Sequence, residues 1–193
     1  MAEVLLFHHA QGLTPGVRTF ANDLRASGHT VHTPDLFDGC VFQSIEEGLA
    51  YIRGIGFDQM RERGVRIAYE LPSELVYAGF SFGVLPAQKL AQTRPGARGA
   101  LLFCSCLPIS GQWAVGPWPD GVAVQIHGMD NDPIFVGEGD ISAAREIVEK
   151  VEGAQLFLYH GDQHVFADRS LPSYEPDAAA LLTARVLAFL DRV

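Results

Sequence analysis

The sequence predicts a single α/β domain over residues 1–193, with a mostly parallel sheet of about six to seven strands and helices on both faces. Short apolar runs alternate along the chain with longer segments of helical periodicity. This alternation is typical of a parallel sheet that helices cover on both sides. The length of 193 residues suits one domain, and no linker or internal repeat divides the chain.

The first third of the chain begins with an apolar run at residues 4–7, which predicts a strand buried on both faces. The next apolar residues are spaced three and four apart, which predicts a helix with one face on a core: Val17, Phe20, Ala21 and Leu24. Gly28 is placed to end this helix. Residues 29–33 are typical of a second strand, and two weaker helical patterns then follow, the second ending before Pro72.

The remaining chain continues the alternation. Four further strands are predicted at residues 75–78, 100–103, 122–126 and 154–159. Three helices are predicted: one ending near Thr93, one over residues 141–151 with Asp140 as its N-cap, and one over 178–190.

Charge and composition exclude several classes of protein. The formal net charge of −9 disfavours nucleic acid and anionic membranes as main partners. No apolar run approaches the roughly 20 residues that span a bilayer, and the N-terminus lacks the features of a signal peptide, so we expect a cytoplasmic protein. The three cysteines are too few and too irregular for a disulfide framework.

The strongest chemical signal is Gly79-Phe80-Ser81-Phe82-Gly83, which has the form G-x-S-x-G. It lies directly after a predicted strand and before a predicted helix, the context in which this motif forms a nucleophile elbow. Ser81 would then stand at the carboxyl edge of the sheet, where N–H groups that open the helix can stabilise an oxyanion. The alternative is a glycine-flanked turn whose serine only caps the helix.

An activated serine needs a histidine base and an acid that orients it. In an α/β-hydrolase fold the acid and then the histidine follow the serine along the chain, each after a strand. Asp132 and Asp130 are the candidate acids, and Asp132 is favoured because Pro133 would hold it extended. His164 and His160 are the candidate bases, and His164 is favoured because it lies further past its strand. The glycine between the two histidines argues against a metal site.

The sequence resembles the dienelactone hydrolase family over nearly its whole length. The matching segments are residues 8–18, 34–37 and 79–83, together with Asp132-Pro133 and residues 164–167. The resemblance implies the α/β-hydrolase fold and a triad of Ser81, Asp132 and His164. It also implies an oxyanion hole formed by the backbone N–H groups of Phe82 and Ala10, without a cofactor or a metal.

Three positions depart from the type enzyme of that family. Ser81 stands where the type enzyme has a cysteine, and His9 stands where it has a glutamate that helps to control this thiol. A serine needs no thiolate control, so we expect His9 to contact the substrate instead. Asp168 stands where the type enzyme has an arginine for the substrate carboxylate. An acid there would repel an anionic lactone, which argues against strict dienelactone hydrolase activity.

The predicted function is hydrolysis of a small ester or lactone through an acyl-enzyme. The candidate pocket walls, besides His9, are Gln11, Phe37, Trp113, Phe135 and Phe166, with Trp118 as a further candidate. The expected partner is a small-molecule substrate, with no nucleic acid or membrane, and the expected assembly is a monomer or a small homo-oligomer. Two alternatives stay open: a hydrolase-fold binding protein without turnover, and a thioesterase that uses the same triad.

Overall fold

The computed structural model describes residues 1–193 and contains one sheet of six strands in the order β2-β1-β3-β4-β5-β6. Every neighbouring pair of strands is parallel. The strands are β1 Glu3–Phe7, β2 Thr30–His32, β3 Val76–Phe80, β4 Gly99–Phe103, β5 Ala123–Met129 and β6 Gln155–Tyr159. The predicted α/β class and parallel sheet are confirmed.

Six helices connect and follow the strands: α1 Pro15–Ala26, α2 Ile45–Ile55, α3 Phe57–Ala68, α4 Val84–Thr93, α5 Asp140–Lys150 and α6 Pro176–Leu190. Gly28 follows the end of α1 with a φ of +94°, a backbone conformation that glycine adopts at little cost. The predicted N-cap of α5 is wrong. Gly139 holds that position, and Asp140 is the first helical residue.

The strands are buried on both faces because alternate side chains enter two separate cores. Leu5 and Phe7 of β1 belong to the core beneath α2, α3, α4 and α5. Val4 and Leu6 of the same strand belong to the core beneath α1 and α6. Continuous apolar runs are what such doubly covered strands require. No helix has both the length and the apolar character that crossing a bilayer demands.

The strand order creates a crevice at the carboxyl edge of the sheet. The chain places β2 on one side of β1 and then returns to place β3 on the other side. The loops after β1 and β3 therefore leave the sheet in opposite directions, and ligands of open α/β sheets bind at such a switch point. Ser81 directly follows β3, and Ala10 lies in the loop that follows β1.

Candidate active site

Ser81 lies in a strained turn between β3 and α4. Its φ is +47°, in the left-handed region that costs a non-glycine residue about 1–2 kcal/mol. Both flanking glycines are required. A Cβ on Gly79 would lie 2.2 Å from the carbonyl oxygen of Gly83, and a Cβ on Gly83 would lie 2.5 Å from the carbonyl oxygen of Phe7. The turn therefore has the geometry expected of a nucleophile elbow.

A continuous chain of hydrogen bonds connects Ser81, His164 and Asp132. The Oγ of Ser81 lies 2.8 Å from Nε2 of His164, and Nδ1 of His164 lies 2.7 Å from Oδ2 of Asp132. The Asp132 side chain is fully buried, and its other oxygen accepts hydrogen bonds from the N–H groups of Ile134 and Phe135. The buried carboxylate fixes Nδ1 of His164 as the protonated nitrogen, so Nε2 is free to accept the serine proton.

The alternative acid and the alternative base, Asp130 and His160, pair with each other and not with Ser81. Nδ1 of His160 lies 3.3 Å from Oδ2 of Asp130, and the His160 side chain is 93% exposed. The N–H of Gly161 donates to Asp130, and this bond, with His160 nearby, lowers the pKa of the Asp130 carboxyl. The geometry therefore brings the favoured pair, Asp132 and His164, to the serine. Because Ser81 bonds to His164 and caps no helix, the simple capping alternative is not observed.

Ala10 and Phe82 both border the cavity next to Ser81, as an oxyanion hole built from their N–H groups requires. Helix α2 packs directly on this loop. A Cβ on Gly48 would lie 1.8 Å from the carbonyl oxygen of Ala10, so only glycine permits the approach. The use of these two N–H groups as oxyanion donors stays a prediction.

His8 anchors the loop after β1 as a neutral side chain. Its Nδ1 donates to the carbonyl of His9 at 2.8 Å, and its Nε2 accepts from the N–H of Leu36 at 3.0 Å. Burial lowers the pKa of His8 to about 4, so both bonds persist at neutral pH.

His9 does not border the cavity at Ser81, so the structure does not support the substrate contact that the sequence predicts. It is buried, and its Nε2 donates to Oδ2 of Asp168 at 2.8 Å while its Nδ1 accepts from the N–H of Gln11. Asp168 also accepts hydrogen bonds from Thr14 and Ser170. Burial alone would raise the pKa of Asp168, but the hydrogen bonds from His9, Ser170 and Thr14 outweigh it and lower the pKa to about 2.

The His9–Asp168 pair connects the loop that carries Ala10 with the loop that carries His164. His9 precedes Ala10, and Asp168 follows His164 by four residues in the same loop. The pair is packed closely, since a Cβ on Gly16 would lie 1.6 Å from Oδ1 of Asp168. Asp168 is 2% exposed and does not border the cavity at Ser81, so it does not meet a substrate directly, contrary to the expectation from the sequence.

The cavity at Ser81 has a volume of about 230 Å³. Six apolar side chains from α2, α3, α4 and the loops after β4 and β5 form most of its wall: Ile45, Leu49, Phe57, Leu85, Leu107 and Ile134. Ser105, Glu138 and Asp140 supply its polar part. A cavity this small, below the usual range for drug-sized ligands, fits a small substrate.

Most predicted pocket walls lie elsewhere. Phe37, Phe135 and Phe166 are fully buried in the cores, because their rings fill space between helices and sheet. Gln11 is buried and donates to backbone carbonyls of the loop before α2. Trp113 is 80% exposed and borders a different recess. Trp118 is also buried, and its indole N–H donates to the carbonyl of Val122.

Ile45 and Leu49 are cavity walls that were not predicted from the sequence. They lie in the first turns of α2, one of the two weaker helical patterns, and only this position near the carboxyl edge indicates that they border the cavity. Ile52, one turn later, is fully buried in the core.

Asp140 contributes a carboxylate to the cavity. Its Oδ2 accepts the hydroxyl proton of Ser105 at 2.6 Å and the N–H of Cys106 at 3.1 Å. Burial raises the pKa of Asp140, the negative charge of Glu138 raises it further, and these two hydrogen bonds partly offset the rise. The cavity therefore has an acidic end near Glu138 and Asp140.

Cys104, Asp132 and His164 bring potential metal ligands within 4.8 Å of one another. Burial and the charge of Asp132 raise the pKa of the Cys104 thiol to about 12. Asp132 and His164 are already bonded to each other.

The dienelactone hydrolase family model matches residues 1–193. The structure is similar to that of the dienelactone hydrolase-like promiscuous phosphotriesterase P91 from metagenomic libraries, with a TM-score of 0.77, 20% identity, and coverage of 100% of this chain and 86% of that one. It is similar to a protein of the alpha/beta hydrolase superfamily from Xanthomonas campestris pv. campestris, with a TM-score of 0.68, 18% identity and 100% of both chains covered.

A further similar structure is esterase PE8, with a TM-score of 0.68, 15% identity, and coverage of 98% of this chain and 93% of that chain. At these identities the solved structures establish the α/β-hydrolase fold alone. The sequence matches none of the curated proteins at a significant level.

Proposed function

The chain belongs to the dienelactone hydrolase family, and from that premise we propose that it is a serine hydrolase that cleaves a small carboxylic ester or lactone through an acyl-enzyme. The observation that supports this most is the unbroken set of hydrogen bonds from Ser81 through His164 to the buried Asp132. This arrangement is the one that general-base activation of a serine requires.

The proposed reaction has two halves. In the first, Oγ of Ser81 attacks the carbonyl carbon while its proton moves to Nε2 of His164. The N–H groups of Ala10 and Phe82 stabilise the tetrahedral oxyanion. His164 then protonates the leaving alkoxide, which departs as an alcohol. In the second half His164 removes a proton from water as the water attacks the acyl-enzyme, and His164 then returns this proton to Oγ of Ser81 as the free acid leaves.

Asp132 acts throughout by stabilising the imidazolium of His164. Two backbone N–H groups donate to Oδ1 of Asp132 and stabilise its charge, and the one side chain that bonds to this carboxylate is His164. The mechanism requires no group beyond these side chains, the backbone N–H groups and water. An ester, a lactone and a thioester all present the same electrophilic carbonyl, so substrate class depends on the cavity.

The test compares initial rates of hydrolysis of short acyl esters, lactones and thioesters by wild type, Ser81→Ala and His164→Ala. Removal of a triad serine or histidine is expected to lower kcat by about 10⁴-fold or more. His160→Ala is the matched control, because this exposed histidine pairs with Asp130 and lies away from Ser81. The proposal requires this variant to keep activity within about twofold of wild type.

Three results would contradict the proposal in different ways. Full activity in Ser81→Ala would eliminate Ser81 as the nucleophile. Binding of an ester analogue without turnover of any carbonyl substrate would favour the binding-protein alternative. A preference for thioesters of at least 100-fold over esters of the same acyl group would change the substrate class to thioester.

A further inference from the structure

The cavity beside Ser81 contains two carboxylates and no cationic side chain. Asp140 uses one oxygen for Ser105 and Cys106, and its other oxygen accepts no hydrogen bond from the protein. Glu138 is exposed at the same end of the cavity. Both carboxylates also border the neighbouring recess, where Glu146 adds a third acidic side chain beside Trp113. Glu146 is paired with Lys150 at 2.6 Å, so Glu138 and Asp140 carry the negative charge that bears on the catalytic cavity.

Apart from the hydroxyls of Ser81 and Ser105 and the backbone at Ala10 and Phe82, the rest of the cavity wall is apolar, and no positively charged side chain borders it to balance an anion. Leu107 and Ile134 are among the apolar residues that border the same cavity as Glu138 and Asp140. Low-dielectric walls strengthen the repulsion between like charges, because they exclude the water that would screen it. A substrate carboxylate in this cavity would be both desolvated and repelled.

We propose that this cavity selects by charge: it accepts an uncharged or cationic ester and rejects one that carries a carboxylate. Glu138 and Asp140 are its specificity-determining residues. This inference rests on the proposed function, because it concerns the substrate of the same serine. It reassigns the rejection of anions from Asp168, which is buried against His9, to the two carboxylates that border the cavity.

The experiment uses three aryl acetates that differ only in a meta substituent: 3-acetoxybenzamide, 3-acetoxybenzoate and 3-acetoxy-N,N,N-trimethylanilinium. All three give the same acetyl-enzyme, so kcat/KM reports how the charge of the leaving group affects acylation of Ser81. Each value is divided by the rate of the same ester with hydroxide, which removes differences in intrinsic reactivity. We expect wild type to favour the neutral amide over the carboxylate by at least tenfold, and the cationic ester to react no more slowly than the amide.

The variants Glu138→Gln, Asp140→Asn and their double variant test the source of this preference. Both substitutions keep the shape of the side chain and one oxygen acceptor, so the amide oxygen of Asp140→Asn could still accept the hydrogen bond from Ser105. In the double variant, the ratio of corrected kcat/KM for the amide ester to that for the carboxylate ester should be at least fivefold smaller than in wild type. Glu70→Gln is the matched control, because it removes one exposed charge just before β3, at the opposite edge of the sheet. Its ratio should equal that of wild type.

An uncharged fluorophosphonate separates failure of this inference from failure of the proposed function. If Ser81 is not labelled, the proposed function fails, and with it the inference. If Ser81 is labelled but wild type hydrolyses the carboxylate as fast as the amide, charge selection is wrong. An unchanged ratio in the folded double variant would likewise overturn the assignment to Glu138 and Asp140. Narrowing of the wild-type ratio at high ionic strength would support an electrostatic origin.

Discussion

Replacement of Asp168 by asparagine should both destabilise the protein and slow its reaction. The carboxylate accepts hydrogen bonds from His9, Thr14 and Ser170 in a site where the side chain is almost fully buried. An asparagine side chain of the same shape would present an NH₂ group to donors, leaving at least one buried donor without an acceptor. Losing one partner of a buried, hydrogen-bonded pair costs about 3–5 kcal/mol.

The lowered pKa of Asp168 gives a second indication of how strongly these hydrogen bonds stabilise its carboxylate. Its fall from 3.8 to about 2 corresponds to about 2 kcal/mol of stabilisation of the folded state. Because the folded pKa is the lower one, this stabilisation is fully present above the unfolded value of 3.8 and is lost as pH falls toward 2. The difference in unfolding free energy between wild type and Asp168→Asn should therefore stay constant above about pH 4 and shrink below it.

Urea unfolding at several pH values between about 3 and 7 measures this difference, and a loss of about 3 kcal/mol would lower Tm by about 6–12 °C for a chain of this size. Because the pair holds the loops of Ala10 and His164 together, kcat should fall at least tenfold while KM changes less than threefold. Asp162→Asn, an exposed position in the same loop as Asp168, is the control. A destabilisation below about 1 kcal/mol, or a difference that grows as pH falls below about 4, would refute this reasoning.

Three other predictions follow from the site. Gly83→Ala should destabilise the protein by more than about 3 kcal/mol or prevent folding, measured by urea unfolding, because its Cβ would lie 2.5 Å from the carbonyl oxygen of Phe7; unchanged stability would contradict the elbow geometry. Phe57→Ala should lower kcat/KM more for butanoyl esters than for acetyl esters of the same alcohol, since it removes part of the apolar wall. Equal losses for the two acyl groups would exclude that wall from substrate binding. Native protein treated with iodoacetamide at about pH 8 should be alkylated once, at exposed Cys40, because burial raises the pKa of the Cys104 thiol to about 12; peptide mapping that finds Cys104 modified at the same rate would contradict its burial.

The sequence predicted the elements well because each one has a periodic apolar pattern of its own. The apolar runs at residues 4–7 and 100–103 predict strands buried on both faces, and the side chains of both runs pack into two cores as expected. The favoured triad residues came together for a topological reason: each follows a parallel strand, and the carboxyl ends of parallel strands meet at one edge.

The cavity walls could not be predicted because they depend on how helices pack on the sheet. Phe37 and Phe166 lie in loops next to the site, but whether an aromatic ring faces a cavity or a core is decided by neighbours distant in sequence. The His9–Asp168 pair is separated by 159 residues and leaves no local signal. Asp140 was predicted as a cap because short acidic residues before a helix usually are caps, yet tertiary bonds to Ser105 and Cys106 determine its position.

The most direct test of an activated serine is intact-mass analysis after treatment with a fluorophosphonate, on wild type and on Ser81→Ala. We predict one covalent adduct on wild type and none on the variant, because only a serine activated by His164 reacts with this probe. Folded wild-type protein that gains no adduct, or a Ser81→Ala variant that is labelled as fully as wild type, would contradict an activated serine at position 81.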